Sequence, residues 1–135
     1  MDDILLSKAE IIERCIGRMH QLYIGHEAQL ESNYDKQDAI VLNVLRACEA
    51  SIDIAMHIVR THKLGLPKSG ADAFELLQKE GVIDQALSIS LQKMVGFSNK
   101  AVHSYKEMQI PVLRAILDEK YKDLKALAKT AIEKA

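Results

Sequence analysis

Apolar residues recur three and four positions apart along almost the whole chain, and only two prolines, Pro67 and Pro111, interrupt them. That spacing is the period of an amphipathic α-helix. No stretch alternates apolar and polar with the two-residue period of a strand, and no segment repeats another. The pattern therefore predicts an all-α protein: an antiparallel up-and-down helical bundle of four longer helices and one short one. A chain of 135 residues has room for one real core, so residues 1–135 read as a single domain.

The first helix is expected from about Asp3 to Tyr23, with Ile4, Ile11, Cys15, Met19 and Leu22 on its apolar face. Gly25 stands where a glycine past the last turn would stop it. Residues 25–34 are polar and read as a loop. The second helix runs from about Asp35 to Lys63, with Val41, Val44, Leu45, Cys48, Ile52, Ala55, Met56 and Val59 as one stripe. At 1.5 Å per residue it would be about 43 Å long, so part of it is expected to protrude or to pack on a second subunit. Leu64–Lys68 is a turn. A short third helix follows from Gly70 to Glu80, with Ser69 and Asp72 as a capping box carrying Asp in place of Glu and Gly81 ending it. The fourth starts at Asp84, a good N-cap, with Leu87, Leu91, Met94, Val95 and Val102 facing the core. The fifth opens with Pro111 in its first turn and continues through Leu113, Ile116, Leu117, Leu124, Leu127 and Ile132 to the end.

Composition excludes several classes of function. With 48% hydrophobic and 27% charged residues the chain is not disordered. A net charge of -1 gives no bulk attraction to nucleic acid or to an anionic membrane, so an RNA-binding role needs a local basic patch. No apolar run approaches the roughly 20 residues of a membrane span. The acidic start Met1-Asp2-Asp3 argues against a signal peptide. Cys15 and Cys48 both lie inside apolar helical patterns and read as buried free thiols, and the chain is expected to be cytoplasmic.

Phosphate loops, Cys-x-x-Cys pairs, His-Glu-x-x-His and nucleophile elbows are all missing from the sequence. No metal site or cofactor is therefore expected. The five histidines are scattered. Only His57, four residues after Asp53, has a ligand-like neighbour, and that pair reads more naturally as surface or interface polar residues. Arg46, Glu49, Asp53, His57 and Arg60 follow one another at intervals of three and four and share one face of the second helix. This stripe is either a solvated, salt-bridged face or the lining of a groove or interface.

Chemistry is concentrated at the end of the fourth helix, in Met94-Val95-Gly96-Phe97-Ser98-Asn99-Lys100-Ala101-Val102-His103-Ser104-Tyr105. A histidine there can move a proton near neutral pH, and Lys100, one turn earlier, can bind phosphate. Taken by themselves these residues leave His103 open as either a structural or a functional group. The segment resembles the HepT-like proteins of the HEPN superfamily, whose pattern is Met-Val-Gly-Phe-Arg-Asn followed, after two or three residues, by His-x-Tyr. Gln37 to Ala55 looks like that family's second helix. Gly65-Leu66-Pro67 with Phe74, Leu76, Leu77 and Gly81-Val82-Ile83 fits it as well, so the resemblance covers nearly the whole chain.

The resemblance implies a dimerising helical bundle, in many members a metal-independent endoribonuclease toxin. Its partner is a cognate minimal nucleotidyltransferase antitoxin that transfers AMP to the tyrosine of His-x-Tyr. Carried over, His103 is the catalytic histidine, Asn99 the polar residue that orients the site, and Tyr105 the modified tyrosine. Glu49 and Asp53 would lie near the cleft or dimer interface, and an RNA substrate and a homodimer are expected. The match departs at Ser98, where the family has its arginine, and at Ser104, often acidic in relatives. Losing a group that stabilises transition-state charge costs on the order of 100- to 1000-fold in rate, and serine offers one neutral hydrogen bond. Three explanations fit Ser98: a naturally weakened relative that still forms its complex, a substitution made to tame a toxic protein, or activity carried by another basic group such as Lys100, Arg46 or Arg60.

Overall fold

The computed structural model describes residues 1–103 and 109–135. Among them there are helices and no strand. The elements are α1 (Asp3–Tyr23), α2 (Tyr34–Thr61), α3 (Gly70–Lys79), α4 (Gln85–His103), α5 (Ile110–Ala115) and α6 (Tyr121–Lys134). A five-residue π turn, Ile116–Lys120, joins α5 to α6 without breaking the helical path. A 3₁₀ turn at Glu27–Gln29 sits in the loop after α1. Gly25 takes φ +81° just beyond the end of α1, and Gly81 takes φ +76° after α3, so both glycines stop their helices as the sequence implies.

Side chains fix most helix starts. Asn33 accepts from the Lys36 amide and begins α2 one residue earlier than the periodicity predicts. Ser69 accepts from the Asp72 amide at 3.2 Å. The Asp72 carboxylate reaches back one residue further than a capping box requires, accepting from the amide of Lys68 at 3.0 Å. Asp84 accepts from Leu87 N–H at 2.8 Å and caps α4.

α2 is the central helix, and it does not protrude. Its buried residues run from Gln37 to Val59, and α1, α3, α4 and α6 all pack against it. The expected stripe holds for Val44, Cys48, Ala55 and Val59, whereas Val41, Leu45, Ile52 and Met56 are only half-buried. On the apolar face expected for α1, Cys15 and Met19 are buried, whereas Leu5, Ile12 and Tyr23 take the places expected for Ile4, Ile11 and Leu22. Leu5, Ala9, Ile12, Cys15, Ile16, Met19 and Tyr23 face the core, and Ile4 is 48% exposed. The run Ile4-Leu5-Leu6 offers three apolar choices, and packing against α2 selects the middle one. Ile132 is likewise exposed, since α6 seats Leu124, Leu127, Ala128 and Ala131 inward. Both cysteines are buried and free. The side chain of Val102, expected in the core, lies outside the described residues.

The π turn faces the C-terminal end of α1. Tyr121 N–H reaches back to the Ile116 carbonyl, five residues earlier. The Leu117 carbonyl accepts from His20 Nε2 at 2.9 Å, which places the ring hydrogen on Nε2. The His20 ring meets Tyr121 edge-on at 4.2 Å. Tyr23 donates its hydroxyl hydrogen to Asp118 Oδ1 at 2.8 Å, and Arg114 donates to the Glu27 carbonyl at 3.2 Å. Burial, reinforced by the Asp118 acceptor, pushes the Tyr23 hydroxyl above its usual pKa.

Candidate functional site

The end of α4 carries the motif. Asn99 and His103 are four residues apart, so they share a helix face, and both are exposed. Lys100 is exposed beside them and lines a groove of about 370 Å³ with Lys93, Gly96, Phe97 and Gln109. None of the three side chains has a hydrogen bond or ion pair with another described residue. Tyr105 and Ser104 lie outside the described residues.

Ser98 is not brought to this surface. Five residues separate it from His103, about 140° around the helix. Its side chain points inward at 2% exposure. The hydroxyl donates to the Val95 carbonyl at 3.3 Å and hydrogen-bonds Cys48 of α2. Burial pushes the Cys48 thiol up to about 12, with the Ser98 bond working against that shift and the charge of Glu49 adding to it. Position 98 is thus a packing position between α4 and α2. An arginine there would have to thread its stem out of the core to show its charge.

The polar stripe of α2 divides in two. Arg46, Glu49 and Asp53 line a groove of about 450 Å³ against α1, facing Lys8, Arg14 and Arg18. Asp53 pairs with Lys8 at 2.9 Å. This half of the stripe therefore lines a groove, with Asp53 ion-paired within it. His57, by contrast, is only 7% exposed, and Asp53 is not its partner. Arginine can only donate, so Arg60 gives a hydrogen bond to His57 Nδ1 at 3.0 Å, and His57 Nε2–H donates to Asp2 Oδ2 at 2.7 Å. Asp2 also caps α1 by accepting from Ile4 and Leu5 amides. The His57 bond, with help from those amides and against some desolvation, holds the Asp2 carboxyl below its ordinary 3.8. Sequence reasoning missed this tie because its partners are 55 residues apart. An acidic residue just ahead of a helix was the available signal. Among the described residues no three His, Cys, Asp or Glu side chains converge as a metal would need, and no helix is long and apolar enough to cross a membrane.

The family model described as "Ribonuclease HepT-like" matches residues 12–131, and the chain belongs to that family. It is 42% identical over 123 residues to the mRNA nuclease HepT of Shewanella oneidensis, covering 91% of this chain and 92% of the relative. The tri-AMPylated Shewanella oneidensis HEPN toxin, solved in complex with its MNT antitoxin, superposes with a TM-score of 0.93 at 39% identity over 100% of both chains. A toxin–antitoxin crystal structure with AMP-PNP gives 0.92 at 39% identity, covering 97% of this chain and 99% of that one.

Proposed function

We propose that this protein is a HEPN-type, metal-independent endoribonuclease toxin, with turnover reduced by Ser98. It is paired with a minimal nucleotidyltransferase antitoxin that silences it by AMP transfer to Tyr105. The observation that carries this reading is the likeness to an mRNA nuclease over nine-tenths of the chain, together with the exposure of Asn99 and His103 on one face of α4. In the reaction His103 takes the proton of the ribose 2′-hydroxyl, the 2′-oxygen attacks the adjacent phosphorus, and the bond from phosphorus to the 5′-oxygen breaks, leaving a 2′,3′-cyclic phosphate and, once the leaving oxygen takes a proton, a 5′-hydroxyl. Alternatively, the same imidazole, protonated, gives a proton to the departing 5′-oxygen. Asn99 orients the phosphate. Each AMP on Tyr105 adds a phosphodiester charge two residues from His103 that repels an RNA phosphate and fills the cleft.

The proposal includes a homodimer. The apolar groove between α4 and α5, lined by Ile89, Met94, Val112 and Ile116, borders the motif helix and suits a second copy. In a two-fold pair the weak basic patches of two motif helices would add. The test is cleavage of end-labelled RNA with a chelator present. His103→Ala should abolish it, and co-expression with the nucleotidyltransferase should add AMP to Tyr105, read by mass spectrometry and lost in Tyr105→Phe. Residual cleavage by His103→Ala at the parent rate would sink the reading.

A second reading is favoured by the burial of Ser98 against Cys48. With no arginine able to reach the phosphate from that position, the chain would be a non-catalytic module that binds the nucleotidyltransferase. It predicts a stable complex with that partner and no cleavage by any variant at position 98.

A further inference from the structure

The groove between α1 and α2 gathers four cations, Lys8, Arg14, Arg18 and Arg46, against two carboxylates, Glu49 and Asp53. In a chain of 18 basic and 19 acidic residues that is a local excess of positive charge. Lys8 is neutralised by Asp53 at 2.9 Å. The three arginines are not neutralised in this way. Among the described residues Arg14 has only Glu10 at 3.9 Å, with both side chains mostly in solvent, where such a pair is worth little. Arg18 donates to the neutral Gln21 amide oxygen at 3.0 Å, which orients its guanidinium without cancelling the charge. Arg46 has no ion pair or hydrogen bond with a described residue. α2 contributes different faces to the groove and to the contact with the motif helix. Cys48 meets Ser98 of α4, while Arg46 and Glu49, close to it in sequence, line the groove.

We infer that this groove is a second RNA site, a track for the phosphodiester backbone of a single strand. The inference rests on the ribonuclease reading. Ser98 leaves the motif without its arginine, so the affinity for RNA phosphates has to come from elsewhere, and these guanidiniums are the available forks. Arg14 and Arg18 stand about 6 Å apart along the helix axis, a spacing suited to successive phosphates of an extended strand. Among the described residues no aromatic side chain lines the groove, so binding follows the backbone and is indifferent to base sequence. Glu49 opposes it.

The test is anisotropy of a fluorescein-labelled single-stranded RNA with the full-length His103→Ala protein, so that cleavage does not consume the probe. Replacing Arg14, Arg18 and Arg46 together by glutamine should flatten the slope of log K against log salt by about 2, at roughly 0.7 per phosphate. Raising salt from about 50 to about 200 mM should then cost the triple variant about 15-fold less affinity than its parent. Glu49→Gln, a milder change, should tighten binding severalfold. If both variants bind RNA like their parent with an unchanged slope, the site is wrong. If the triple variant loses only its complex with the nucleotidyltransferase, the groove serves an acidic protein surface and the inference is also overturned. If RNA binding weakens as expected while no variant of the chain cleaves RNA, the groove stands and the ribonuclease reading fails. Unchanged binding alongside cleavage abolished by His103→Ala overturns the groove and leaves the ribonuclease reading standing.

Discussion

Replacing Ser98 with arginine sets two effects of similar size against each other. The gain is catalytic: a cation at the phosphate is worth on the order of 100- to 1000-fold, or about 2.7–4 kcal/mol of barrier at 1.36 kcal/mol per tenfold. The cost is structural. Position 98 is 2% exposed, with its hydroxyl bonded to the Val95 carbonyl and to Cys48. Forcing a long stem into that contact overpacks the α2–α4 interface by about 1–3 kcal/mol. A domain stable by about 5–15 kcal/mol tolerates this, because the guanidinium escapes to water past the helix surface. Ser98→Arg is therefore expected to melt roughly 3–12 °C lower than the parent and to cleave RNA on the order of 100-fold faster. Ser98→Ala, the control, should melt within about 2 °C of the parent and gain no activity. Thermal melts and chelator-resistant cleavage of labelled RNA, run on the same preparations, decide the matter. A cooperatively folded Ser98→Arg protein that cleaves no faster than the parent, and is not toxic on expression, would refute the reasoning.

Three further outcomes are expected. Gly96 is an exposed helix-interior glycine where an added β-carbon would meet nothing within 4 Å, so Gly96→Ala should raise the melting temperature by the few degrees that about 1 kcal/mol of helix propensity is worth; a lowered value would mean that the bare backbone there is packed against. Asp2, whose carboxyl is depressed by His57, contributes stability above its ordinary 3.8 that is lost as pH falls through its folded value. Asp2→Asn should therefore melt lower than the parent at neutral pH and converge with it well below pH 4, as melting temperature against pH will show. Cys48 behaves in the opposite sense: raised from 9.0 to about 12, its thiol contributes stability that is intact below pH 9 and is lost as pH rises toward 12. Cys48→Ala should lose less of its stability over that alkaline range, and an alkaline limb as steep as the parent's would count against the assignment.

Elements whose ends are written in local chemistry were legible in the sequence. Gly25, Ser69, Gly81 and Asp84 stop or start helices where expected, because a positive φ or an amide in need of an acceptor selects those residues wherever they fall. Features set by packing were not. Ile4 and Leu5 are equally apolar, and only contact with α2 decides which is buried. His57 looked like one more polar residue on a helix face until the chain's second residue was brought against it. The candidate site was half legible. Asn99 and His103 share the exposed face that their spacing requires, while Ser98, a neighbour in the motif, is a core residue because 140° of helix lies between it and His103.

The π turn at Ile116–Lys120 has a consequence for how this chain tolerates change in length. A π turn is an α-helix that has accepted one extra residue, and it absorbs the rotation of about 100° that the extra residue would give everything beyond it in a straight helix. Leu124, Leu127, Ala128 and Ala131 reach the core with that rotation absorbed. Because the turn already absorbs one residue, deleting a single residue between 116 and 120 would restore regular helix geometry and leave this set of side chains facing the core. What it would disturb is local, the contact of the Leu117 carbonyl and Asp118 with His20 and Tyr23. A one-residue deletion should therefore cost less at these five positions, of which Asp118, Glu119 and Lys120 are exposed, than within α6, where nothing absorbs the rotation of about 100°.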